Sequence, residues 1–146
     1  MLSIAQEKKI SLLSDTTLYP EAVAFLRRLI NELHSSPLPT AQIMGLLNIA
    51  HSSSYGQLRE YVMHQRDRNW PEWKPNTKVF YTELEKLLTQ IQRKRLVEEF
   101  GLVTPGQNTQ QVNQEMNELM AALAREFIQH LVAENILLTE LQRSRR

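Results

Sequence analysis

Apolar residues along this chain recur at intervals of three and four, which is the spacing of one face of an α-helix. The clearest example covers residues 109–142, a stretch that contains neither proline nor glycine. Its apolar positions keep helical spacing: Val112, Met116, Leu119, Leu123, Phe127, Leu131, Leu137, Leu138 and Leu141. The pattern predicts a long C-terminal helix over residues 109–142.

Shorter segments with the same spacing precede it. They are predicted to begin, in order, at Leu2, Tyr19, Thr40, Ser53 or Ser54, and Thr77. Serine and threonine suit the last three of these positions because their side chains accept hydrogen bonds from the first free N–H groups of a helix. The first segment, residues 2–13, has only a thin apolar face, although Ser3 and Gln6 fit a capping box. Residues 69–76, with two prolines, are expected to form a loop, and Gly101 is expected to end the fifth helix.

No run of alternating apolar and polar β-formers is present, and glycine, which tight hairpins use, occurs only four times. We therefore expect one all-α domain over residues 1–146, a helical bundle of five or six helices. A helix over 109–142 would be about 50 Å long, whereas a compact domain of this size is about 38 Å across. The helix is thus expected either to break near Glu134 and Asn135 or to project towards a partner.

Composition narrows the chemistry. The chain has no cysteine, which excludes disulfides, thiolate zinc sites and a cysteine nucleophile. Seventeen Lys and Arg against 16 Asp and Glu give a formal net charge of +1, so the overall charge demands neither a nucleic acid nor a membrane. No apolar run approaches the roughly 20 residues that cross a bilayer. We expect a cytoplasmic protein without membrane contact.

Motifs for catalysis or nucleotide binding are missing from the sequence, including HExxH, GxGxxG and GxxxxGK[ST]. Glu60 with His64, and Glu126 with His130, share helix faces at a spacing of four residues. A metal site needs three or four such ligands, so surface pairs are the preferred interpretation. We predict no enzymatic activity, no catalytic residue, no metal and no cofactor.

Basic and aromatic residues concentrate between positions 55 and 78. Cations bind phosphate, and aromatic rings stack on unpaired bases. The candidate nucleic-acid-binding residues are therefore Arg59, Arg66, Arg68, Trp70, Trp73, Lys74 and Lys78. Further basic clusters lie at 93–95 and 143–146, and the hypothesis requires cations from these stretches to share one surface. The alternative is that acidic neighbours neutralise the cations and the tryptophans anchor a loop.

Two other functions fit parts of the pattern. Residues 40–50 and 55–65, separated by serines, have the order of a helix-turn-helix DNA-binding unit. Such a unit would present the start of its second helix to base edges, here Ser54, Tyr55, Gln57 and Arg59. A protein–protein adaptor is the other possibility, with the C-terminal helix binding a partner through Leu131, Leu138 and Leu141.

Three stretches carry a family resemblance: Leu-Pro-Thr-Ala-Gln-Ile at 38–43, the basic, tyrosine-containing segment 61–68, and the apolar segment 127–133 with Leu-Val-Ala. They resemble the small helical subunits of type III CRISPR effector complexes. The resemblance implies a non-catalytic subunit that stacks along an RNA-guided complex and lines its nucleic-acid channel. Arg59, Arg66 and Arg68 would then be the first candidates for backbone contact.

These observations together predict a non-enzymatic helical subunit or binding module of a nucleoprotein assembly. Its expected partners are protein subunits of a larger complex and RNA or single-stranded nucleic acid.

Overall fold

The computed structural model describes residues 2–71, 75–90 and 95–144. Within these ranges the chain forms six α-helices and no β-strand: α1 Ile4–Leu13, α2 Tyr19–Asn31, α3 Thr40–Ser52, α4 Tyr55–Asp67, α5 Pro75–Gln90 and α6 Thr109–Ser144. Single π-helical turns, Ser14–Leu18 and Arg95–Glu99, precede α2 and α6. The predicted all-α bundle with a long C-terminal helix is confirmed.

The long helix α6 is the central element of the bundle. Helices α2 and α3 pack along it, and α4 packs mainly against α5. The core-facing side chains of α6 are at most 3% exposed: Leu119, Leu123, Ala124, Phe127, Ile128, Leu131 and Val132. Phe25 of α2 packs edge-to-face on both Phe80 of α5 and Phe127 of α6. Helices α2, α5 and α6 therefore share one hydrophobic core.

The expected break near Glu134 and Asn135 is wrong, because α6 continues to Ser144. The side chain of Asn135 is fully buried, and its Oδ1 accepts from the backbone N–H of Leu38 at 3.0 Å. Its Nδ2 donates to the backbone oxygen of Leu38 at 2.9 Å. Asparagine is tolerated inside this helix because its amide bonds to another segment instead of competing for the helix backbone. None of the helices in the described ranges combines the length and apolarity that a bilayer crossing requires.

Two of the predicted helix starts are confirmed in detail. Ser3 and Gln6 form a complete capping box at α1, and Ser54 and Gln57 form another at α4. Gly101 has a left-handed φ of 59° two residues after the end of the second π-helical turn, whereas α5, the helix that it was expected to end, is described only to Gln90.

Two other starts are displaced. Thr40 does not cap α3, because the backbone oxygen of Pro39 already accepts the first helical hydrogen bonds and Thr40 is the first helical residue. Thr77 does not cap α5 either, since it is buried within a helix that begins at Pro75. Proline fits that first position, so the loop predicted over 69–76 is shorter than expected.

Glu115 of α6 ties together the connector before α6 and the N-terminal helix. Its carboxylate accepts from the backbone N–H of Thr104 at 2.6 Å, from Gln107 at 2.9 Å and from Gln6 at 3.0 Å. Gln6 also donates to the backbone oxygen of Leu102 at 2.9 Å. Burial acts to raise the pKa of Glu115, but these hydrogen bonds outweigh it and hold the pKa below its usual value.

Replacing Glu115 with glutamine should cost more stability at neutral than at acidic pH. The folded-state pKa lies below the unfolded one, so the contribution of the carboxylate is present above the usual value of 4.5 and is lost as pH falls through the folded-state pKa. Urea unfolding of wild type and Glu115→Gln from about pH 7 to about pH 3 measures this difference. A gap in unfolding free energy that stays constant over this range would contradict the assignment.

Asn135→Ala should destabilise the fold by about 2–3 kcal/mol, because it leaves two buried backbone groups of Leu38 without partners. The matched control is Asn113→Ala, an exposed position on the same helix, which should change stability by no more than about 0.5 kcal/mol. Denaturant unfolding compares the two variants. Equal effects would show that the amide does not hold the segment before α3.

Candidate nucleic-acid interface

Two of the predicted phosphate-binding arginines on α4 face a carboxylate on α5. Glu85 places Oε1 3.6 Å from the guanidinium of Arg59 and Oε2 3.4 Å from that of Arg66. Arg66 also makes two hydrogen bonds to Asp67, at 2.9 and 3.1 Å. Both arginines therefore have acidic partners within the fold, and their charge is largely balanced before any ligand arrives.

Two cations, one after the end of α4 and one near the start of α5, form no ion pair with a described carboxylate. Arg68 is exposed, and its guanidinium carbon lies 4.8 Å from the centre of the Trp70 ring. Lys78 is exposed on α5. Among the residues that the structure describes, no carboxylate forms an ion pair with either cation.

The position of Trp70 is fixed by the helix that it follows. The half-buried indole donates its Nε1–H to the backbone oxygen of Gln65 at 2.7 Å, at the C-terminal end of α4. Asp67 is the last residue of α4. Hydrogen bonds from Arg66 hold the pKa of its carboxyl below the usual value, and the positive charges of Arg66 and Lys78 also lower this pKa. Arg68 directly follows the last residue of α4, and Lys78 is the fourth residue of α5, which packs against α4, so both cations lie at the junction of the two helices.

The other basic clusters do not join this surface through any described contact. Trp73 and Lys74 lie outside the described residues. Arg95 pairs with Glu21 of α2 and with Glu99.

The third cluster is represented by one described residue. Arg143 lies 3.5 Å from Glu140, near the end of α6. In the described part of the chain, members of the three basic clusters thus pair with acids in three different places, so the expectation that the three clusters share one surface is not met there. The candidate interface is reduced to the corner formed by Arg68, Trp70 and Lys78, which we call the Arg68 corner.

The start of α4 does not offer the side chains that a helix-turn-helix would present to DNA. Tyr55 is 7% exposed, burial raises its pKa, and its hydroxyl donates to the backbone oxygen of Leu88 at 2.7 Å. Ser54 and Gln57 are occupied with each other in the capping box. Arg59 pairs with Glu85 of α5, so of the four residues predicted for base contacts Tyr55 is buried and the other three already have polar partners in this chain.

The predicted partner-binding leucines of α6 fall into different environments. Leu131 is fully buried in the chain's own core, so its assignment to a partner surface is wrong. Leu138 is partly buried against the core, whereas Leu141 is 45% exposed. Leu137, which was not among the predicted contacts, is 52% exposed. We call Leu137 and Leu141 the leucine pair.

Sequence reasoning missed a contact between the N-terminal segment and α6. The Oγ of Ser14, a buried residue, lies 3.0 Å from Glu126 Oε2 and 2.7 Å from His130 Nε2. Glu126 and His130 are partly buried, so they are not the open surface pair that their spacing suggested. No local pattern reveals this contact, because Ser14 is more than one hundred positions away along the chain.

The Ser14 hydroxyl has one hydrogen, which it can donate to Glu126 or to His130, and the tautomer of His130 decides which. The cluster ties the first π-helical turn to α6. Within the ranges that the structure describes, no three side chains of the metal-binding types are grouped.

No protein-family profile, curated protein sequence or solved structure matches this chain. The resemblance to small subunits of CRISPR effector complexes therefore stays a prediction.

Proposed function

We propose that this chain is a non-enzymatic helical subunit of a nucleoprotein assembly that binds nucleic-acid backbone at the Arg68 corner. The observation that carries the proposal is the placement of Arg68 and Lys78. Both are exposed at the junction of α4 and α5 and lack an ion pair to any described carboxylate. Cations of this kind exchange counterions for phosphates without first breaking an internal salt bridge.

The resemblance to small subunits of CRISPR effector complexes supports the same proposal, but with fewer contact residues than it implies. Of the three backbone contacts that it implies, Arg59 and Arg66 are held by Glu85, and Arg68 is open to solvent. The interface is thus smaller than the sequence suggested, and its affinity for a single strand should be modest.

Binding to a fluorescein-labelled single-stranded RNA, followed by anisotropy, tests the proposal. Arg68→Ala and Lys78→Ala should each weaken binding and lower the slope of log K against log salt by about 0.7. Glu85→Gln should strengthen binding, because both α4 arginines then lose their shared carboxylate. Arg143→Ala, at an exposed arginine on α6, is the matched control. Absence of binding at low salt, or binding that salt does not weaken, would overturn the proposal.

A second function, as a protein–protein adaptor, is favoured by the pattern of burial along α6. Leu137 and Leu141 follow Leu119 and Leu123 by eighteen residues, which is five helical turns, so the two pairs point in the same direction. Leu119 and Leu123 are at most 1% exposed, whereas Leu137 and Leu141 are 52% and 45% exposed. One side of α6 is therefore covered in its first half and open near its end, where a partner helix fits.

Site-specific photocrosslinking in the cells that produce the chain tests the adaptor function. A photoreactive residue in place of Leu141 should give discrete protein adducts. The same residue in place of Leu12, which is 62% exposed on α1, is the control and should not give them. The adaptor function fails when position 141 gives no adduct or when both positions give the same products.

A further inference from the structure

We propose that Arg68, supported by Trp70, is a stacking platform for one unpaired base, and that Lys78 binds the adjoining phosphate. This inference rests on the proposed backbone binding and adds the class of ligand, a single strand with an accessible base.

The platform is prepared before the ligand arrives. The indole of Trp70 is held by its hydrogen bond to the backbone oxygen of Gln65, and one face of its ring is covered by the guanidinium of Arg68. A cation over an indole face is attracted by the ring electrons, which limits the positions that a long arginine side chain visits. Arg68 is exposed, so its side chain remains accessible to a ligand while it contacts the indole.

A guanidinium plane is a suitable surface for a base. It is flat and weakly hydrated, and proteins that bind unpaired RNA bases stack them on arginine planes as well as on aromatic rings. Trp70 itself is half-buried, so the base contacts Arg68 and the indole forms the layer beneath. A lysine at position 68 would keep the charge but lose the plane.

The neighbouring charges fit a strand that carries phosphates. Asp67 precedes Arg68, but its carboxylate accepts two hydrogen bonds from Arg66. Lys78 is exposed on α5 and has no ion pair to a described residue, so its ammonium group can take a phosphate. Bases in a duplex are stacked on each other and do not reach such a platform, which makes the inference specific to unpaired strands.

The test separates base stacking from phosphate binding. Anisotropy competition compares three probes for wild type and Arg68→Lys: a single-stranded oligonucleotide, an abasic strand with the same sugar-phosphate backbone, and a duplex. Arg68→Lys should weaken binding of the base-bearing single strand by about five- to tenfold and leave the abasic strand and the duplex nearly unchanged. Trp70→Leu should give the same selective loss, and Arg143→Lys, the control, should change none of the three. Circular dichroism confirms that each variant is folded.

The outcomes of this test are distinct. Wild type that binds the abasic strand as tightly as the base-bearing one overturns the stacking platform and leaves backbone binding intact. An equal loss on all three probes for Arg68→Lys also overturns it, since that result assigns Arg68 to phosphate alone. A protein that binds none of the probes at low salt overturns the proposed function itself.

Discussion

The structure depends on the burial of one long helix on several sides at once. Helix α6 supplies the side chains that α2 and α3 pack on, and Phe25 joins it to α5 through rings on both sides. A helix of 36 residues is about 54 Å long, so its neighbours cannot cover all of it. The exposed leucine pair is a direct consequence. The π-helical turn that begins at Ser14 contacts α6 at Glu126 and His130. Leu137 and Leu141 lie beyond this contact, nearer the end of the helix.

The parts of the fold that the sequence predicts are those that local patterns determine. Helical periodicity is local, so α6 could be placed within two residues of its ends, and the capping boxes at Ser3 and Ser54 are equally local. The length of α6 leaves two alternatives for its end, a break near Glu134 and Asn135 or a projecting end, and periodicity does not decide between them. Only the tertiary structure shows that Asn135 lies inside a continuous helix, with its amide bonded to Leu38, a residue distant along the chain.

The candidate site shows the same division between local and long-range information. The concentration of arginines and tryptophans is visible in the sequence, and so is the possibility that acids balance them. The particular acid, Glu85, lies nineteen positions beyond Arg66 and meets it only because α4 and α5 pack side by side. The environment of Tyr55, which the helix-turn-helix interpretation places at base edges, also depends on long-range packing. Tyr55 belongs to the core, a fact that depends on where Leu88 lies.

Ion pairs along α4 and α5 also shape what the Arg68 corner does. Where a carboxylate already pairs with a guanidinium, a phosphate must displace that carboxylate. Little of the attraction between guanidinium and phosphate then remains as net binding affinity. Arg68 and Lys78 avoid this competition, yet the contact that we propose, with two cations and one stacked base, would be weak on its own. Weak contacts become effective when the module is held next to its ligand, because tethering raises the local concentration of one site near the other. Under the proposed function, the exposed leucine pair at the end of α6 is where the chain would be held within an assembly.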